Sequence, residues 1–249
     1  MFKHEGAERS LRKNQVLAGY LAFVAGFVNS FGFLSFGVFT SHVTGNVTRL
    51  AERLSTGDSS AIDALAMIAC FFAGAFAASV ALESDLARRR PRVYAALLSC
   101  EACLLGLAML ATPTAAAVAR DSLCVAMGMQ NSLVTRLSGA VVRTTHLTGV
   151  VTDLGIEAAR WFRFWRSRVA ARTKLRLVAG HVPSSAPRSD RGILLFTIFA
   201  AFMLGSVLGI IAGLHLGRPA LAIPITLLAV GAAVAFFTRI ELRDRAQVP

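Results

Sequence analysis

Charge is scarce in this chain. Charged residues make up 16% of its 249 positions, against about 25% in an average soluble domain. The motifs of soluble catalysis are missing too. There is no P-loop, no glycine-rich dinucleotide fingerprint, and no Ser-His-Asp order at a persuasive spacing. Only four cysteines occur, Cys70, Cys100, Cys103 and Cys124, and all lie inside apolar runs, which argues against a disulfide framework. Cys100 and Cys103 share a helix face, so they read either as a metal pair or as small packing residues. Period-two alternation, the mark of a membrane β-barrel, is also absent. The expectation is therefore neither a soluble enzyme nor a membrane-embedded one, with no cofactor and no metal.

What the chain does have is apolar sequence, 55% of it. It falls into six blocks, 16–39, 62–82, 93–111, 119–142, 193–214 and 220–237. Each is near the roughly 20 residues that a helix needs to cross the hydrocarbon core. The expected fold class is an all-α integral membrane protein with six transmembrane helices. The fourth block is the least apolar, because it carries Gln130, Asn131 and Arg136. The basic N-terminus precedes a run too long for a signal-peptide core, so the first block reads as an uncleaved helix.

The net charge of +12 suggests nucleic acid until its placement is examined. Of 26 Lys and Arg, 21 fall in the two tails, the segment between blocks two and three, and the segment between blocks four and five. Arg49, Arg53, Arg120 and Arg218 lie on the alternate side. Cytoplasmic loops carry the excess of basic residues. The expectation is a multi-pass protein of the cell membrane with both termini cytoplasmic. Its partners are then the lipid bilayer and anionic headgroups, not nucleic acid.

The chain also repeats itself. Gly26-Phe27-Val28-Asn29-Ser30 matches Gly128-Met129-Gln130-Asn131-Ser132. Thr40-Ser41-His42-Val43-Thr44-Gly45-Asn46-Val47-Thr48 matches Thr144-Thr145-His146-Leu147-Thr148-Gly149-Val150-Val151-Thr152. Weaker matches pair Phe71-Phe72-Ala73-Gly74 with Phe202-Met203-Leu204-Gly205, and Arg90-Pro91 with Arg218-Pro219. Two halves follow, 1–112 and 113–249, the second with a basic cytoplasmic segment at 157–191. Each half holds three spans. Three is odd, so the halves must enter from opposite sides, as two inverted repeats. Secondary transporters use that plan, with the substrate between the repeats.

These residues resemble a known family. Phe27 to Leu34, Ser41 to Leu50, Gly128 to Ser132 and Leu147-Thr148-Gly149 are similar to the YoaK-like family of bacterial inner-membrane proteins, along nearly the whole chain. The resemblance implies the fold and the location and names no substrate. Members commonly have an acidic residue where this chain has Asn29, so any coupling through that position is expected to differ here.

Polar residues inside spans are costly and therefore informative. Asn29 and Asn131 are repeat mates that inversion would bring together at the pseudo-axis. The expected substrate path is Asn29, Gln130 and Asn131 with Thr44, Gly45, Asn46, Thr148 and Gly149. Thr44 and Thr148 read as helix N-caps, and Gly45 and Gly149 as sites of unusual backbone or close approach. The helices after them read as short and amphipathic, in one case with Val47, Leu50, Ala51 and Leu54 on a face. Glu101 and Arg136 read as an ion pair, or Glu101 as a proton carrier. Asp63 sits at a helix start, where a carboxylate is favoured anyway. Trp161, Arg163, Trp165 and Arg166 suit a membrane surface. Residues 180–190 read as a linker. His42 and His146 read as packing or hydrogen-bonding residues on opposite faces. The leading function is a small-solute transporter or channel of unknown substrate. The alternative is a non-transporting scaffold or regulator working through the basic segment. Homo-oligomers stay open under both.

Overall fold

A computed structural model of the chain describes residues 11–83, 92–137, 145–172 and 189–237. Among them the elements are α1 (Leu11–Phe36), α2 (Val43–Thr56), α3 (Ala61–Glu83), α4 (Val93–Leu110), α5 (Ala116–Leu137), α6 (Leu147–Arg172), α7 (Ser189–Leu216) and α8 (Ala222–Phe237). Short 3-10 turns, Pro113–Ala115 and Arg218–Leu221, lead into α5 and α8. No strand occurs among the described residues. An all-helical fold follows from the apolar runs, because hydrocarbon offers no partner to a backbone amide and a helix satisfies its own.

Five segments are long and apolar enough to cross a membrane: Gln15–Phe36, Ala61–Glu83, Val93–Leu110, Asp190–Leu216 and Arg218–Phe237. The remaining expected block, 119–142, coincides with α5 up to Leu137, and 138–142 lies outside the described residues. Arg120, Asp121, Gln130, Asn131 and Arg136 lower its hydropathy. The reason α5 tolerates them is its position. Ala119, Leu123, Cys124, Ala126, Met127 and Val134 are fully buried, so much of α5 packs against protein.

The helices pair across the two halves of the chain. α1 packs on α7, α3 on α5, and α4 on α8. Glycine makes the first two pairs close. A Cβ at Gly26 would strike the Phe202 carbonyl of α7, and one at Gly205 would strike the Phe23 carbonyl of α1. In the other pair, a Cβ at Gly128 would strike the Phe71 carbonyl, and one at Gly74 the Val125 carbonyl. Small residues let backbones approach in this way where no hydrophobic effect drives helices together.

The contacts also fix direction. Along α1 and α7, Gly19 meets Thr197, Gly26 meets Phe202, Phe27 meets Gly209 and Leu34 meets Gly213. The numbers rise together, so the two helices are parallel. Along α3 and α5, Asp63 meets Arg120, Phe71 meets Gly128 and Ser79 meets Ser132, again parallel. α4 and α8 are antiparallel, since Arg92 at the start of α4 lies over the Phe236 ring at the end of α8, 4.5 Å from its centroid.

Two expectations change in detail. α2 is a short helix, stopped by Gly57 at φ 70°, whose following amide donates to Arg53 O at 2.9 Å. α6 is not short: it runs for 26 residues, because Trp161 stands at the repeat position of Gly57 and nothing there turns the chain. The expected linker falls at 180–188, outside the described residues, while Ser189 and Asp190 already belong to α7.

Gly128→Val should destabilise the protein by about 1–3 kcal/mol or more, as overpacking does. Gly155→Ala, where a Cβ meets open space, should leave stability unchanged or raise it by roughly 0.5–1 kcal/mol. Thermal melts in detergent compare the two; equal melts would contradict the close α3–α5 packing.

Candidate functional site

Glu101, near the middle of α4, is among the most buried polar side chains of the described residues. It is 1% exposed, and its Oε1 has no hydrogen-bond partner among the described residues. Its carboxyl lies within electrostatic reach of Tyr20 on α1. The Tyr20 hydroxyl donates to the Leu227 carbonyl of α8 at 2.6 Å, and Gly231 leaves room for it, since a Cβ there would strike that hydroxyl. The next residue, Leu21, offers its carbonyl to Gln130 Nε2 of α5 at 2.7 Å. Gln130 is itself 1% exposed, and its Oε1 also has no partner among the described residues. Four helices thus bring polar groups together in the core: α1 with Tyr20, α4 with Glu101, α5 with Gln130, and α8 with a backbone carbonyl.

Sequence reasoning named Glu101 and Gln130 but missed Tyr20. The signal was available. A hydroxyl carried by an otherwise apolar helix needs a partner when it is buried.

The expected Glu101–Arg136 pair is not formed. Arg136 is exposed at the last turn of α5, while Glu101 is enclosed by the core. Asn29 and Asn131 do not come together either. Gln130 is level with Leu21, and Asn29 lies eight residues along α1, about 12 Å at helical rise. Each asparagine instead ties down the segment after its own helix. Asn29 Oδ1 accepts from Ser41 N at 3.1 Å and Ser41 Oγ at 2.9 Å. Asn131 Oδ1 accepts from Thr145 Oγ1 at 2.8 Å. Ser41 and Thr145 are themselves repeat mates.

Thr44 and Thr148 are not caps. Their helices begin one residue earlier, and the carbonyls of His42 and His146 accept the first backbone bonds, from Asn46 N and Val150 N. The two threonines sit in the first turns and accept through their own carbonyls, from Thr48 and Thr152. Gly45 packs closely under His42, where a Cβ would lie 2.7 Å from Nδ1, whereas Gly149 faces open space. Asn46 is buried, and its Nδ2 reaches the Phe39 carbonyl at 3.4 Å.

Charge gathers at the start of α5. Arg120 contacts Asp63 of α3 at 3.2 Å and Asp121 at 2.8 Å. Trp165, Arg163 and Arg166 lie exposed on α6, with Trp161 half-buried against the Phe164 ring. Cys100 and Cys103 are exposed on α4, and no group of three or more metal-ligating side chains occurs among the described residues. A cavity of about 340 Å³ opens between α1, α7 and α8, lined by Phe23, Phe27, Leu208, Ile211, His215 and Ile223 among others. It is apolar and holds none of the expected path residues.

Residues 17–234 match the family described as "Protein of unknown function (DUF1275)". The UPF0700 transmembrane protein RA0705 of Rhizobium meliloti (strain 1021) is 30% identical over 149 residues, which cover 58% of this chain and 61% of that protein. No solved structure matches the chain.

Arg120→Met should cost about 1–3 kcal/mol, because it leaves two carboxylates without their shared partner. Asp63→Asn should cost less than about 1 kcal/mol, since that side chain is 44% exposed and solvent screens it. Chemical denaturation of the two variants in detergent checks the order; a reversed order would contradict it.

Proposed function

The chain belongs to the DUF1275 family, and on that premise we propose that it is a proton-linked transporter of a small solute in the cell membrane. It is a multi-pass membrane protein, as its apolar helices and its transmembrane relative agree. In our reading it crosses six times, as two inverted halves, with both termini cytoplasmic.

Parity supports the sixth crossing. α1 and α7 run parallel, so an odd number of crossings must separate them. α3 and α4 supply two, and α5 is the third. The contacts of α5 along α3, from Asp63–Arg120 to Ser79–Ser132, support the same conclusion: the two helices run side by side over about 18 Å of α5 and about 24 Å of α3 at helical rise. Inversion is supported by the crossed glycines. Gly26 on Phe202 and Gly128 on Phe71 are the same contact written twice, because Gly26 matches Gly128 and Phe202 matches Phe71 in the repeat. So are Gly205 on Phe23 and Gly74 on Val125. The placement of basic residues supports the orientation.

The observation that carries transport is Glu101. An ionisable side chain within a spanning bundle is costly and marks an ion or proton pathway by default. Glu101 lies where α1, α4, α5 and α8 converge, so a change in its charge acts on helices from both halves at once. Asn29 and Asn131 would hold the loops that close each half, a role different from lining a path.

The test is Glu101→Gln in proteoliposomes on a solid-supported membrane, with currents recorded after a pH jump. The variant should keep wild-type helicity and melting, and its pH-driven charge movement should fall to the empty-liposome background. Glu101→Asp should retain part of it. Wild-type currents in Glu101→Gln would sink the proposal.

A further inference from the structure

We propose that the C-terminal part of α6, residues 161–169, is a binding site for anionic lipid headgroups. The inference rests on membrane placement and not on transport.

The sequence repeat makes this segment stand out. α2 stops at Gly57, whereas its mate α6 continues for the twelve residues from Trp161 to Arg172. The added stretch reads WFRFWRSRVAAR and contains no acidic residue. It also holds both tryptophans of the chain. One half of the molecule therefore has a device that the other lacks.

The helix sorts its side chains by direction. Val150, Glu157 and Phe164 are buried on the side that faces protein. Phe162, Trp165 and Val169 are 66%, 59% and 58% exposed, and their spacing of three and four places them on one outward stripe. At 3.6 residues per turn, Arg166 and Arg163 fall about 40° and 100° beyond Phe162, on the flank away from the protein.

The arginines divide in the same way. Arg160 is held by Glu157 at 2.7 Å. Arg168 lies over the Phe164 ring, 5.1 Å from its centroid. Arg163 and Arg166 are exposed and make no ion pair among the described residues.

Position supplies the occupant. α6 packs on α7, and Asp153 bonds Arg191 at 2.9 Å, one residue past the start of the apolar span Asp190–Leu216. The early part of α6 is thus moored where α7 enters the membrane. An apolar stripe with tryptophan at that depth suits the headgroup boundary. Two arginines beside it, without an ion pair among the described residues, suit phosphate in the leaflet that carries the basic loops.

The two tryptophans make the site its own reporter. The full chain is placed in nanodiscs of phosphatidylcholine and phosphatidylglycerol, with one lipid or the other brominated at equal mole fraction. Brominated phosphatidylglycerol should quench tryptophan emission more than brominated phosphatidylcholine, reflecting a roughly fivefold local enrichment per arginine. The excess should disappear in the Arg163→Gln/Arg166→Gln variant, with its melt unchanged. It should also collapse at about 1 M salt, where the screening length falls to roughly 3 Å. Equal quenching by both lipids, or an excess kept in the variant, would overturn the proposal. So would loss of the excess on adding inorganic phosphate at constant ionic strength, since the site would then take free phosphate and not lipid.

Discussion

The structure depends on four glycines that let helix backbones touch. Gly26 and Gly205 join α1 to α7, and Gly74 and Gly128 join α3 to α5. In water, apolar side chains would drive such pairs together. In lipid that force is absent, and close packing with small residues replaces it. Because each pair takes one helix from each half, neither half is a separate body. The core they enclose is built from α1 and α5, and α3 and α7 present Phe72, Phe76, Phe196 and Leu204 outward.

On the proposed six-span reading, that arrangement explains why α5 looks unlike a span. Hydropathy measures what lipid would accept, and much of α5 packs against protein instead. Its Gln130 bonds Leu21 of α1, its Asn131 holds Thr145, and its Arg120 is neutralised by Asp63 and Asp121. α1 occupies the matching place with fewer polar residues and therefore keeps its apolar character. The same enclosure places Glu101 among protein groups and out of solvent.

Much of this was legible in the sequence. Block boundaries agree with helix ends to within about five residues, apart from the end of the fourth block at 138–142, which lies outside the described residues; length and apolarity are what the membrane selects. The repeat reading draws support from its weaker matches, since Phe71 and Phe202 lie against Gly128 and Gly26. What sequence could not give was the side each polar residue faces. Asn29 and Asn131 looked like partners because they occupy equivalent positions. Equivalence says nothing about proximity, and each proved to bond within its own half. Thr44 and Thr148 looked like caps, and the helix began one residue sooner. Tyr20 passed unnoticed because a tyrosine in an apolar run resembles any aromatic until its hydroxyl finds a carbonyl.

The central claim is that α5 crosses the membrane in register with α3. The direct measurement is labelling of single cysteines with a membrane-impermeant maleimide, after Cys70, Cys100, Cys103 and Cys124 are changed to alanine. In intact cells, Thr114→Cys, before α5, should label from outside, and Arg136→Cys, at its end, should label only after the membrane is opened. If both positions label from the same side, α5 does not cross, and the six-span inverted architecture is wrong.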